Sequence, residues 1–415
     1  MDQKYKVLLE EKELEIYELK RKISEYESRL NTLSEDHGTK LSNERELIKL
    51  METKIFSLYR KLRTWKDKYF FTKRNDLIYR NSKEIVNLIP YKSNLAIHHP
   101  DWMGVSNSTK DLFEHRLPLP EMHSKLLINK IADLIIDRQI KHVIFSGFAE
   151  GYLQLSRRLK ELDYSIMISV FWHGNTTHMY ENYSWQRHNE IIQLHQEGLL
   201  YRWGFAKKTM AELYAYAGFP SFFVKNAVNN RNLQVSQSKQ RGISMQKDRV
   251  GIYASGETWN KNAFTQIAAV KLMGDFKIDA LPCNDRMKEY ANQIGVEICG
   301  FQGGVSRAEL AERLTGNLIN LYVTFSECAP LLPLESLSQG VPCLTGPNHH
   351  YFEENPILKQ YLVVNEPDNP VEIARKALIA IDKREEIIQL YNSWALENDI
   401  TSKKTVRLFL MGVRS

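Results

Sequence analysis

Two doubly wound α/β domains behind an N-terminal helical coiled coil are what this sequence predicts, and three observations carry that reading. Apolar residues in the first 68 positions advance by alternating steps of three and four, the period of a helix seam that needs a partner helix. From residue 94 short β-rich runs alternate with amphipathic helical stretches, which implies parallel strands joined by right-handed crossovers. A polar stretch over 229–248, NNRNLQVSQSKQRGISMQKD, almost free of large apolar side chains, divides that alternation into two sets. At 415 residues the chain is long enough for two or three domains, and 43% hydrophobic residues supply material for their cores.

The coiled coil has two seams. Ile16, Leu19, Ile23, Tyr26, Leu30 and Leu33 form the first, and Ile48, Met51, Ile55, Leu58, Leu62 and Trp65 the second, displaced by four residues from the first register. A stutter in one continuous helix and a helical hairpin folded at Gly38 both satisfy that displacement. Either way, residues 1–68 read as an oligomerisation or spacing arm, and a homo-oligomer is expected. Arg60, Lys61, Arg63, Lys66, Lys68, Lys73 and Arg74 then interleave with Trp65, Tyr69, Phe70 and Phe71. The simpler reading docks the rings on the next domain and leaves the charges in water. The other is a peripheral contact with an anionic membrane surface.

Candidate strands of the first domain are Asn94–His98, His142–Phe145, Ile166–Trp172, Leu200–Phe205 and Phe222–Val224, with helices near 121–136, 150–161, 185–197 and 207–217. Those of the second are Val250–Ala254, Lys277–Leu281, Val296–Gly300, Leu318–Val323, Pro342–Leu344 and Tyr361–Val364, followed by helical sequence from 370 to near the end. The expected organisation is a coiled coil over 1–68, a basic aromatic connector over 69–93, a first domain over 94–235 and a linker over 236–248. A second domain over 249–398 and a terminal helix over 399–415 complete it. Such a pair of domains places ligands in the cleft between them, at the carboxyl ends of the strands.

Several classes are excluded or disfavoured. No G-x-G-x-x-G opens a helix after the first strand of either domain and no G-x-x-x-x-G-K-[ST] occurs, so a nicotinamide dehydrogenase and a P-loop nucleotidase lack support. Asp-x-Asp is absent too, and a metal-independent site is expected. A net charge of +6 over this length does not argue for nucleic acid. Cys283, Cys299, Cys328 and Cys343 show no Cys-x-x-Cys spacing, which suits free thiols in a reducing compartment. The charged N-terminus lacks the apolar core of a signal peptide, and no 18-residue apolar run occurs, so a cytoplasmic protein is expected, with the inner face of the membrane within reach.

The chemistry concentrates in Thr324–Pro342, where a buried strand ends in Ser326-Glu327, a helix opens near Pro330, and Glu335 follows eight residues after Glu327, ahead of Gly340-Val341-Pro342. A helix N-terminus favours an anion, and flanking carboxylates accept hydrogen bonds from sugar hydroxyls. This stretch resembles the donor domain of retaining GT-B glycosyltransferases of family four (group 1), whose signature is Glu-x7-Glu before Gly-x-Pro. Three further segments agree with the resemblance. Phe223–Val228 is similar to the exit of the family's first domain, the strand into Phe171-Trp172-His173 to the one that ends in an active-site histidine, and Gly251–Asn262 to the family's phosphate loop.

The resemblance implies a GT-B fold of two Rossmann-like domains facing a cleft. It also implies roles: Lys261 on the donor diphosphate with Ser255 and Ser326 beside it, Glu335 on the ribose hydroxyls, Glu327 on the donor sugar, and His173 across the cleft. The arginine that the family carries five residues before the lysine is Gly256 here, and Arg307 and Lys225 are the candidate replacements. The loop His98–Thr109 offers Trp102 as a sugar-stacking face and Gly104 as a point of close approach at the acceptor side. The expected activity is transfer of a sugar from a nucleotide-sugar donor, a substrate and not a cofactor, to a glycan or lipid-linked acceptor with retention at the anomeric carbon. The alternative is a non-catalytic coiled-coil scaffold whose GT-B body binds a glycan or protein partner.

Overall fold

The structure, a computed structural model, describes residues 72–228, 248–253 and 258–412. Both coiled-coil seams, most of the 236–248 linker, Ser255 and Gly256 lie outside the described residues. The chain divides into two compact units, Met1–Asn81 and Ser82–Ser415. In the first, residues 72–81 are helical. The second holds both sheets.

Its first sheet has six strands: β1 (Asn94–His98), β2 (Arg116–Pro118), β3 (His142–Ser146), β4 (Met167–Trp172), β5 (Arg202–Phe205) and β6 (Ser221–Phe223). They lie in the order β2-β1-β3-β4-β5-β6, all parallel. The crossovers are α1 (Met103–Leu112), α2 (Lys125–Asp137), α3 (Tyr152–Leu162), α4 (Asn182–Gln196) and α5 (Lys208–Tyr216). Strands such as β3, His142-Val143-Ile144-Phe145-Ser146, are buried at every position because helices cover both faces. In α2, Ser124 accepts the Leu127 N–H as N-cap, and Leu127, Ile128, Ile131, Ala132 and Ile135 form the inward stripe.

The second sheet comprises β7 (Arg249–Ile252), β8 (Lys277–Ala280), β9 (Ile298–Gly300), β10 (Ile319–Tyr322) and β11 (Cys343–Thr345), in the order β11-β10-β7-β8-β9, again all parallel. Helices α6 (Ala263–Met273), α7 (Asp285–Gln293), α8 (Arg307–Thr315), α9 (Leu332–Ser338), α10 (Pro356–Leu362) and α11 (Pro370–Asp382) cover it, and α12 (Arg384–Met411) closes the chain. The latter part of α12 returns to the first domain. Arg202 Nη1 donates to the Phe409 carbonyl at 2.6 Å, Asn398 Nδ2 to the Asn226 carbonyl at 3.2 Å and Ser402 Oγ to the Lys225 carbonyl at 2.7 Å. Among the described residues no helix is long and apolar enough to cross a membrane, and all four cysteines are free.

The structure corrects the sequence reading in four places. Tyr361–Val364 is not a strand: Pro356 opens a helix that runs to Leu362, and only Val363 makes a single parallel bridge to Thr345. The His98–Thr109 segment is not one loop, since α1 begins at Met103 and contains Gly104. The helix expected near Pro330 starts at Leu332 and is seven residues long. Strand β2 was not foreseen.

Candidate functional site

Both sheets bring the carboxyl ends of their strands to one cleft. On the second domain β10 leads into the Val323–Leu331 loop, and several bonds fix that loop against the turn that carries Lys261. Asn262 Nδ2 donates to the Val323 carbonyl at 2.9 Å, the Val323 N–H donates to Gln266 Oε1 at 2.9 Å, and the Phe325 N–H donates to the Asn260 carbonyl at 2.8 Å. Asn262 takes a left-handed conformation, φ 56°, which asparagine tolerates better than most residues and which lets α6 follow the turn directly. The result is a direct ion pair between Lys261 Nζ and Glu327 Oε1. The Tyr322 hydroxyl donates to the same oxygen at 2.9 Å and accepts from Lys261 Nζ at 3.3 Å.

The first domain holds this loop from the opposite side. Ser326 Oγ accepts from Asn175 Nδ2 at 2.9 Å and shares a 2.8 Å bond with Thr177 Oγ1. Lys207 Nζ donates to the carbonyls of Glu327 and Asn348, each at 3.0 Å, and burial pulls its pKa down. Asn226 Nδ2 donates to the Ala329 carbonyl at 3.0 Å while its Oδ1 accepts from Ser108 at 2.7 Å. Ser326 is therefore occupied in domain contact.

Glu335, on α9, is buried and bound to Arg307 Nε at 2.8 Å. Arg307 also reaches Asp111 at the end of α1, Nη2 to Oδ2 at 2.9 Å, so one guanidinium joins carboxylates from both domains. Burial pushes Glu335 up, against the pull of Arg307. Burial opposes the Arg307 charge, but the two carboxylates outweigh it and its pKa is raised. Lys225, the other candidate replacement cation, pairs with Glu354 at 3.3 Å.

His173 follows β4, and its Nε2 shares a 2.9 Å bond with Ser146 Oγ, which in turn accepts from Thr109 Oγ1 at 2.7 Å. Burial, assisted by His98, pulls its pKa down to about 3, so the ring is neutral near pH 7. Two cavities meet at this residue. One, of about 280 Å³, is lined by Gly104, Lys261, Tyr322, Glu327 and Glu335 together with His173. The other, of about 500 Å³, lies wholly on first-domain residues and includes Trp102, Glu121, Trp172, Tyr183 and Arg187 with His173.

Of the residues singled out in the sequence, Lys261, Glu327, Glu335, His173 and Gly104 thus converge on one cavity and Trp102 on its neighbour. Gly104 does so from within a helix, where an added Cβ would meet nothing within 4 Å. Tyr322, Asp111, Asn175 and Lys207 were not foreseen. Each is a polar residue at or just beyond the end of a strand or helix, and that position was their only signal in the sequence.

This arrangement, two Rossmann-like domains with a cleft between strand ends, is the GT-B fold. Two solved structures share it over nearly their whole length. A UDP-forming α,α-trehalose-phosphate synthase from Burkholderia xenovorans is similar with a TM-score of 0.55 at 9% identity, covering 78% of this chain and 99% of its own. The trehalose-6-phosphate synthase OtsA is similar with a TM-score of 0.55 at 11% identity, covering 77% and 98%. The N-terminal domain of a Candida albicans trehalose-6-phosphate phosphatase also aligns, with a TM-score of 0.53 at 8% identity, covering 79% and 98%. Compared by sequence, the chain matches no family profile and no characterised protein.

Proposed function

We propose that this protein is a glycosyltransferase that moves a sugar from a nucleotide-sugar donor to a glycan or lipid-linked acceptor, with retention and without a metal. The observation that carries the reading is the single 280 Å³ cavity in which Lys261, Glu327 and Glu335 of one domain face His173 of the other. Similarity in fold to UDP-forming synthases supports a nucleotide-sugar donor. The leaving nucleoside diphosphate gains negative charge as the glycosidic bond breaks, and Lys261 is the group to meet it. To do so it moves its ammonium from Glu327 to the diphosphate, which frees the Glu327 carboxylate for donor-sugar hydroxyls. Ser255 would take a phosphate oxygen, and Ser326 would join it only by exchanging its bonds to Asn175 and Thr177. Glu335 would take the ribose hydroxyls with the oxygen that Arg307 does not hold. A neutral His173 serves as a hydrogen-bond partner at the reacting sugar, since a ring with its pKa near 3 carries no proton to donate as an acid at pH 7. Residues 1–68 would assemble the chain into an oligomer in a cytoplasmic setting, and the basic aromatic connector would dock its rings on the next domain, with peripheral membrane contact as its second reading.

One observation favours the scaffold reading. Among the described residues lining this cavity Lys261 is the only cation, and it is already paired with Glu327. Calorimetry with UDP, ADP and GDP separates the two. Under the transferase reading at least one nucleoside diphosphate binds, and Lys261→Ala and Glu335→Ala each weaken it at least about tenfold, about 1.4 kcal/mol, with the fold intact. Absence of binding by all three in the wild type leaves the scaffold.

A further inference from the structure

Tyr322, the last residue of β10, has no role assigned so far. Resting on the transferase reading, we infer that it is a positioning residue: its hydroxyl holds the Glu327 carboxylate in place when Lys261 turns to the donor diphosphate.

Three side chains close a triangle in the wall of the 280 Å³ cavity. Lys261 Nζ and the Tyr322 hydroxyl both donate to Glu327 Oε1, the hydroxyl at 2.9 Å, and Lys261 Nζ also donates to the hydroxyl at 3.3 Å. A phenol has one O–H to give and lone pairs to receive with, and Tyr322 uses both at once. The second carboxylate oxygen, Oε2, has no hydrogen bond among the described residues. One oxygen of Glu327 is thus held twice and the other is open.

The two donors differ in mobility. Lys261 carries its ammonium on a flexible four-carbon stem, a point charge that can turn from one anion to another. The Tyr322 hydroxyl stands on a buried, rigid ring rooted in a strand paired on both sides, with Tyr322 itself opposite Thr345 of β11. A diphosphate therefore draws away the ammonium and not the hydroxyl. Glu327, whose side chain is 11% exposed, then needs a donor that stays, because a buried carboxylate stripped of its partners is costly. Neighbouring cations do not supply one. Lys207 Nζ bonds the carbonyls of Glu327 and Asn348 and makes no ion pair with the carboxylate, and Arg307 is bound to Asp111 and Glu335. Tyr322 is already in place on Oε1, which leaves Oε2 for a sugar hydroxyl.

The test is a double-mutant cycle read by calorimetry on the full chain with UDP, ADP and GDP. For whichever nucleoside diphosphate binds the wild type, Tyr322→Phe is expected to weaken binding about tenfold, the worth of one hydrogen bond to a charged group. In the Glu327→Gln background no carboxylate charge is stranded when Lys261 leaves, so the same substitution should change affinity by less than about twofold. Glu327→Gln alone should bind the diphosphate at least as tightly as the wild type, since Lys261 then has no charge to abandon. An equal loss in both backgrounds would mean that Tyr322 only shapes the cavity, and no loss in the wild-type background that Glu327 needs no second donor. Either result overturns this inference while the transferase reading stands. If none of the three nucleotides binds the wild type, the transferase reading falls and this inference falls with it.

Discussion

Arg307 lies between Asp111 and Glu335, whose side chains are 1% and 7% exposed, and it is the one group that neutralises both. A carboxylate left buried without its cation is among the costliest single changes a fold can suffer. Arg307→Ala is therefore expected to lower stability by about 3 kcal/mol, read as a shift in the urea midpoint. Arg307→Lys should recover little of it, because a point ammonium cannot serve a carboxylate on each of two edges. A loss under about 0.5 kcal/mol, the ordinary range for surface sites, would mean that solvent and not the guanidinium satisfies Asp111 and Glu335. The same bridge ties the guanidinium that the sequence offered in place of the missing phosphate-binding arginine to Asp111 and Glu335. Sequence shows that a cation is present, but not which carboxylates it will meet, since Asp111 stands 196 residues away.

At the scale of single elements, α3 is capped by Gly151, whose φ of 91° is one that residues other than glycine rarely adopt. A Cβ there would come within 2.3 Å of the Met122 carbonyl oxygen, a backbone atom with nowhere to retreat, because Met122 N–H is bonded to the Glu150 carbonyl at 3.0 Å. Gly151→Ala should cost at least about 2 kcal/mol from strain and overlap, and a melting temperature unchanged within a degree would contradict this geometry. The elements easiest to read were those whose burial and period agree. The strands β3, β4 and β10 are apolar runs covered on both faces, and α2 shows a clean inward stripe. Helix α1 could not be read that way, because its buried residues are Ser106, Asn107, Ser108 and Thr109. Thr109 bonds Ser146 and Ser108 bonds Asn226, so the usual hydrophobic signal is inverted. Strand β2 has three residues and one buried side chain, too little for a period. Residues 361–364 mislead because an apolar run ending a short helix looks like a buried strand. In the candidate site, Glu327 and Glu335 stood out by their spacing between a strand end and Gly340-Val341-Pro342, and Lys261 only by the resemblance of Gly251–Asn262 to a phosphate loop. Their pairing with Tyr322 and Arg307 was not legible, since it depends on how β7 and β10 lie side by side.

Across the whole molecule, burial of neutral histidines sets the response to acid. His142, His173 and His349 are each pulled down to about 3, first by burial, and burial also pulls His350, 5% exposed with neither ring nitrogen bonded, well below the ordinary histidine value. They sit in both domains: His142 on β3 against Ser169, His173 at the cleft, and His349 and His350 beyond β11. The unfolded chain takes up a proton at each of these sites near pH 6.5, whereas the folded chain resists until about pH 3. Between those limits the unfolded state binds more protons, so stability is full above pH 6.5 and is lost as pH falls through the window. Each histidine contributes up to about 1.4 kcal/mol per pH unit, so a few of them together consume an ordinary margin of about 5–15 kcal/mol within a few units. Glu190, Glu335 and Asp399 act in the opposite sense, because burial raises them and favours their protonated forms. With four such histidines against three carboxyls, the histidine effect is expected to win between pH 6.5 and 5. Urea titrations at pH 7.5, 6.5, 5.5 and 4.5 are expected to show a near-constant midpoint over the first step and a steep fall over the next two. His142→Asn, which removes one buried titrating ring, should flatten the slope by about one proton's worth. A midpoint that stays level from pH 6.5 to 5 would mean that these rings find water or partners when protonated, and that the interior around β3 and the β11 loop opens more readily than its packing implies.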